Sequence, residues 1–294
     1  MTLVQNTEMT LKEQAEQLID MSDAMGKFIN EEIILSRVEA YGGSTNEILG
    51  PQGTGKTSFM LNYAKEIMGE NPDELIIWKD SYQSQCQFNR LKNWEIFAEE
   101  GTKLKFRDIL KDETVELPVK KFTDFSQLIH LMSPQQLNVV FVKDEVVGYI
   151  KLLNYLRRHS GWQSIFIDEY KDIAPLNESS YRYRLIGALG KEMTNIRKGL
   201  VSLFCNTQSK SQIDWRVRDA FMTYVYLPGA KKDGHSSIYQ QAINGLEKGK
   251  AWISWEGKFG RVRFPPFPPK HPVLDVEDLN KESEIDLILS EKTD

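Results

Sequence analysis

Three glycines, a lysine and a threonine stand at fixed spacing in the stretch EILGPQGTGKTSF, residues 47–59: Gly50, Gly53, Gly55, Lys56 and Thr57. They satisfy G-x-x-x-x-G-K-[ST]. A loop of this kind turns unpaired backbone N–H groups and a helix N-terminus toward phosphate oxygens. The Lys56 ammonium then reaches the terminal phosphates and the Thr57 hydroxyl reaches Mg²⁺. The residues expected to cradle the phosphates of a nucleotide are Gly50, Pro51, Gln52, Gly53, Thr54, Gly55, Lys56, Thr57 and Ser58. The loop specifies a nucleotide but not the work done with it, since kinases, switches, motors and loaders share it.

Two further stretches bear on that work. SIFIDEY, residues 164–170, is an apolar run ending in two carboxylates. Asp168 at the end of such a strand can hold Mg²⁺ beside Thr57, and Glu169 then faces the point from which a water attacks the γ-phosphate. Orienting and polarising water is a requirement of hydrolysis rather than of phosphoryl transfer to an acceptor. An apolar run ending in Asp-Glu, taken alone, reads as a strand meeting a solvated loop; behind a complete phosphate loop the catalytic reading prevails. LVSLFCNTQ, residues 200–208, ends in Thr207-Gln208 where a buried strand emerges. Gln208 at that edge can hydrogen-bond the γ-phosphate or the water and pass its state to the following loop.

GPQGTGKT, IFIDEY and IRKGLVSLFCNTQSKSQID together resemble the HerA/FtsK branch of P-loop ATPases, over roughly residues 45–228. That branch includes DNA pumps, conjugation ATPases, viral genome-packaging ATPases and Zot-like morphogenesis ATPases of filamentous phage. The resemblance implies a RecA-like α/β core, homo-oligomeric rings such as hexamers, and ATP hydrolysis coupled to moving DNA. It matches Lys56, Thr57, Asp168, Glu169 and Gln208 to nucleotide and sensor residues, and Arg197 to the arginine before the sensor strand. The chain departs from the branch in lacking a winged-helix DNA reader and a strongly basic loop.

A ring hydrolase places an arginine of one subunit on the γ-phosphate held by the next. Arg197 leads on the family pattern, followed by Arg216 and Arg218 after the sensor strand, with Arg182 and Arg184 as further candidates. Each alternatively reads as a surface ion-pair partner. The cations available to DNA, Lys210, Lys231, Lys232, Lys248, Lys250, Lys258, Arg261 and Arg263, are scattered. A ring would multiply even a weak patch, and AKKDGH, residues 230–235, with Lys231 and Lys232, is the favoured pore loop. Trp252 and Trp255 read as core packing first and base stacking second.

The elements that must position these groups follow from the apolar runs. EIL at 47–49, ELIIWKD at 74–80, NVVFVKD at 138–144, SIFIDEY, LVSLFCNTQ and FMTYVYL at 221–227 alternate with helix-like segments. This is the signature of a mainly parallel sheet covered by helices on both faces. The expected organisation is a helical extension over 1–44, an ATPase core over 45–250 with an insertion at 81–137 carrying its own hairpin, a β-hairpin and Pro-rich exit over 251–272, and an acidic mobile tail over 273–294. Residues 10–29 have the spacing of an amphipathic helix.

The 294 residues carry a net charge of −5, with a pI near 5.6. Eight acids and two lysines from Asp275 onward give the tail −6 and leave the body at +1. This gives no global basic footprint of the kind expected of a nucleic-acid coat protein; the tail is a candidate site for a protein partner. Cys86 and Cys205 are 119 positions apart and read as reduced thiols. With neither a signal peptide nor a membrane-length apolar run, the chain reads as cytoplasmic, virus- or plasmid-associated in the packaging context. The alternatives to a DNA motor are a nucleotide-dependent switch or assembly factor and an AAA+-like protein remodeller.

Overall fold

The computed structural model describes residues 43–80, 85–174, 176, 180–196, 198–232, 238–255, 258–267 and 272–279. The expected N-terminal helix at 10–29, the hairpin turn at Glu256-Gly257 and the tail beyond 279 lie outside them.

The strands in chain order are β1 (Thr45–Leu49), β2 (Leu75–Lys79), β3 (Trp94–Glu99), β4 (Leu104–Asp108), β5 (Glu113–Val115), β6 (Val119–Phe122), β7 (Leu137–Phe141), β8 (Gln163–Ile167), β9 (Val201–Thr207), β10 (Thr223–Tyr226), β11 (Lys250–Trp255), β12 (Lys258–Arg263) and β13 (Leu274–Asp278). The helices are α1 (Lys56–Glu70), α2 (Phe125–Leu131), α3 (Glu145–Leu156), α4 (Ser180–Ile196), α5 (Trp215–Arg218) and α6 (Gln240–Asn244). Among the described residues one sheet runs β12-β11-β10-β1-β9-β8-β2-β7-β3-β6. From β10 to β6 all neighbours are parallel, and β11 and β12 close the other edge antiparallel.

The central strands are buried along their whole length because helices cover both faces. Successive residues therefore alternate between two apolar layers rather than between core and water. Trp78, Phe166 and Phe204 point to the layer that holds Phe59, Met60, Tyr63 and Ile67 of α1. Ile77, Ile165, Leu203 and Cys205 point to the opposite layer, against Leu152 and Leu153 of α3 and Ile186, Leu189 and Met193 of α4. Phe166 and Phe204 stack with ring centroids 4.6 Å apart. Each buried ring contributes about 1.5–3 kcal/mol relative to exposure, so the strand pair β8–β9 is fixed beneath the carboxylates it carries.

The stretch 81–137 builds onto the sheet. β3 and β6 extend it in parallel, while β4 and β5 form an antiparallel hairpin beside it. β13 completes a second, three-stranded sheet by pairing with β4, from Leu274 opposite Asp108 to Asp278 opposite Leu104. The start of the acidic segment expected to be a mobile tail is thus a strand. Its sequence LDVED alternates, and Leu274 and Val276 are buried in the α1-side core while Asp275 and Glu277 face outward. The acids mask an ordinary half-buried strand. The hairpin expected after residue 250 is present as β11 and β12. Both cysteines are buried free thiols.

Candidate functional site

The site lies at the C-terminal edge of three neighbouring strands. β9 runs between β1, which leads into the glycine loop, and β8, which leads into the two carboxylates. Register pairs Leu49 with Thr207 and Ile167 with Cys205. One residue further along each strand, Gly50 and Asp168 leave the sheet on either side of the Asn206–Gln208 segment. The Gly50 N–H donates to the Thr207 carbonyl at 3.3 Å, tying the loop to that segment.

The loop turns at Gly53 and Gly55, with φ of 76° and 101°, a region that glycine enters without steric cost. Gly55 is also the residue before α1. It gives the helix no side-chain cap, and α1 has no acid in its first turn. The first N–H groups of a 15-residue helix therefore face the loop mouth without a local side-chain acceptor. Lys56 is buried and folds back on the loop, donating to the carbonyls of Gly50 at 2.9 Å and Pro51 at 3.2 Å. Burial lowers the pKa of its ammonium, against the pull of Glu169 and Asp168.

Thr57 and Asp168, 111 positions apart, meet here: the Thr57 hydroxyl donates to Asp168 Oδ1 at 3.4 Å. Burial pushes the Asp168 carboxyl above its usual range, opposed by a hydrogen bond from Asn206. Hydroxyl and carboxylate oxygens side by side are the hard-oxygen donors that suit Mg²⁺. Glu169 has φ 51° and ψ 66°, a left-handed conformation that costs a non-glycine residue about 1–3 kcal/mol. Its N–H donates to Asn206 Oδ1 at 2.9 Å, while Asn206 Nδ2 donates to Asp168 Oδ1. Asn206 thus holds both acidic residues. A polar Asn inside an apolar strand is itself a signal for such a role, because strands disfavour Asn and full burial requires partners for its amide.

A second buried charge group lies beside it. Lys79, at the end of β2, donates to the Asp168 carbonyl at 3.4 Å and lies 3.7 Å from Glu145 and 3.6 Å from Asp172. Burial alone would lower its pKa; Glu145, Asp172, Asp168 and Asp80 more than offset this and hold the ammonium charged. The adjoining Asp80 accepts the N–H groups of Gln87 and Phe88 at 2.7 and 3.0 Å. Burial first, then the charge of Asp168, push the Asp80 carboxyl up to about 7.

The remaining candidates are placed unevenly. Gln208 follows β9 at the same edge, half-buried. Arg216 is engaged within its own chain, with Nε and Nη2 on Asp214 at 2.8 and 2.7 Å, Nη1 on the Tyr183 carbonyl at 2.8 Å, and its guanidinium 3.6 Å over the Tyr183 ring. Arg218 lies 3.9 Å from Asp219, and Arg184 is exposed. Arg197 and the Arg182 side chain lie outside the described residues. Lys231 is exposed; the Lys232 N–H donates to Gln240 Oε1; the remainder of the expected pore loop, from 233, is outside.

Two of the scattered cations are turned inward. Lys210 sits 3.4 Å over the Tyr224 ring and 3.7 Å from the buried Glu47, and Arg261 is buried. Trp252 is 1 % exposed and donates its indole N–H to the Ala242 carbonyl, so core packing is its role. Lys248, Lys250 and Arg263 line a cleft of about 590 Å³ that opens from Gly53, Thr54, Gly55 and Ser58.

No protein-family model and no curated protein matches the chain. Among solved structures it is similar to the genome packaging NTPase B204 of Sulfolobus turreted icosahedral virus 2. The sulfate complex is 12 % identical at TM-score 0.51, over 76 % of this chain and 97 % of that one. The AMPPCP complex is 13 % identical at TM-score 0.51, over 76 % and 98 %. The N-terminal domain of zonular occludens toxin from Neisseria meningitidis is a looser likeness, 11 % identical at TM-score 0.34 over 83 % and 97 %. At these identities the B204 likeness shows the fold, a RecA-like P-loop NTPase core, in agreement with the observed strand order.

Proposed function

We propose that this chain is an ATPase of the HerA/FtsK type that works as a homo-oligomeric ring and translocates or packages DNA. One observation carries the reading. Residues from three separate parts of the chain, Lys56 and Thr57, Asp168 and Glu169, and Asn206, converge at one sheet edge with direct bonds among Thr57, Asp168, Asn206 and the Glu169 backbone. The B204 neighbour's printed role, genome packaging, and its structure with AMPPCP support a nucleotide and a genome-handling role by analogy of fold.

In this reading the open N–H groups of the loop and of α1 take the phosphate oxygens of ATP. Lys56 exchanges the carbonyls of Gly50 and Pro51 for the β- and γ-phosphates, which compensate its burial better than neutral oxygens do. Thr57 and Asp168 would hold Mg²⁺, which would supply positive charge to the phosphate oxygens. Glu169 accepts the proton of the attacking water, held in position by Asn206. Gln208, beside the loop, registers the presence of the γ-phosphate. Arg197 of a neighbouring subunit completes the site; Arg216, committed to Asp214, instead fixes the segment after β9 against α4.

Glu169→Gln should bind ATP as the wild type does and release phosphate roughly 10²–10⁴-fold more slowly, because the amide fits the site but does not take a proton. Lys56→Ala should lose nucleotide binding itself. Phosphate release near the wild-type rate in Glu169→Gln removes the assignment of the base. Tight ATP binding with negligible turnover in the wild type favours a nucleotide switch over a motor.

A further inference from the structure

We propose that the cleft beside the phosphate loop seats the nucleoside, with the Phe264 ring as the surface on which the base stacks. The inference rests on the nucleotide reading above and adds the part of the site that recognises more than phosphate. A triphosphate held at Lys56 and Thr57 must leave the loop on its open side, and Gly53, Thr54, Gly55 and Ser58 open there into the cleft closed by Phe264, Pro265 and Pro266. Its volume, about 590 Å³, lies within the roughly 300–1,000 Å³ usual for small-molecule sites.

The chain after β12 is built as a strap across this opening. The Phe264 N–H donates to the Gly249 carbonyl at 2.8 Å, Asn62 of α1 donates to the Pro265 carbonyl at 2.7 Å, and the Phe267 N–H donates to the Ser58 hydroxyl at 3.4 Å. Arg90 donates to the Phe267 carbonyl at 2.7 Å. Two of these anchors, Ser58 and Asn62, belong to the helix that begins at the phosphate loop, so strap and loop are one unit. The Phe264 ring meets the Phe59 ring edge-on, with centroids 5.4 Å apart, and remains partly exposed. A Cβ at position 55 would lie 3.3 Å from Phe264 Cε2, so glycine there lets the ring lie directly against the loop. Lys248, Lys250 and Arg263 line the same cleft; Lys250 is paired with Glu247 at 2.8 Å, so the cleft carries mixed charge around the ring rather than a purely cationic surface.

The test is calorimetric titration of the wild type, Phe264→Ala and Phe264→Leu with AMPPCP and, separately, with inorganic tripolyphosphate, in the presence of Mg²⁺. Both variants should bind AMPPCP roughly tenfold or more weakly, the loss of one base–aromatic contact, and bind tripolyphosphate as the wild type does. Phe264→Leu keeps apolar bulk against Phe59 and so separates loss of the stack from collapse of the strap; Phe264→Trp should restore AMPPCP affinity. Unchanged AMPPCP binding in both variants, or equal losses for AMPPCP and tripolyphosphate, overturns the proposal while leaving the phosphate loop intact. A wild type that binds neither ligand overturns the nucleotide reading and this inference with it.

Discussion

Asn206 sets the spacing of Asp168 and Glu169 by bonding the carboxylate of one and the backbone of the other. Asn206→Leu keeps the branched outline of the side chain and removes both bonds, leaving Glu169 without the contact that offsets its left-handed backbone. The variant should still bind ATP, hydrolyse it at least about a hundredfold more slowly, and lose about 1–3 kcal/mol in urea unfolding. Wild-type turnover would show that Glu169 is positioned by something else. Asp80 makes a different prediction at the same scale. Its folded pKa of about 7 lies above the unfolded value, so folding takes up a proton between about pH 4 and about pH 7. The stability from this group is complete in acid and is lost as pH rises through about 7. Asp80→Asn keeps an oxygen for the Gln87 and Phe88 N–H groups and removes the charge. In metal-free buffer its melting temperature should fall less than that of the wild type over this window, with the largest gain above about pH 7. Equal slopes in the two proteins would exclude Asp80 as the source.

At the scale of elements, β13 is the strand whose role is least evident from composition. Leu274 and Val276 are buried while Glu277 is exposed, so Leu274→Ala should cost about 2–5 kcal/mol in denaturant unfolding and Glu277→Ala less than about 0.5 kcal/mol. Equal small effects would mean that the strand is not part of the folded core. The contrast explains what the sequence reveals and what it hides. β1, β2 and β7–β10 are legible because burial on both faces demands long apolar runs, and the hairpin of β11 and β12 is legible from its turn. β13 and the β4–β5 hairpin are half-exposed, and their inner residues are recognisable only beside each other, as Val276 is opposite Phe106. The residues of the candidate site divide likewise. The glycine loop, Asp168 and Glu169 occupy short contiguous stretches with fixed spacing. Asn206 stands out locally only as a polar residue in an apolar strand; which residues it holds, and what the segment after β12 packs on, depend on contacts across 38 and 209 positions.

At the scale of the whole molecule, the edge of the sheet that carries the nucleotide loop also carries the start of the Lys231–Lys232 segment. A Cβ on Gly229 would lie 3.5 Å from Pro51, and Leu227 bonds to the end of β1. A ligand pressing on that segment would therefore act close to the glycine loop, as the proposed motor requires. The net charge of the first 274 residues is only +1, so DNA binding should be modest and strongly salt-dependent. The most direct measurement is the steady-state ATPase rate of the assembled protein with and without duplex DNA, at low and at raised salt. A DNA motor predicts a severalfold rise at low salt that fades as salt increases and is absent in the Lys231→Glu, Lys232→Glu double variant, whose basal rate stays near wild type. An unchanged rate with both duplex and single-stranded DNA, in protein shown to be assembled, would contradict it.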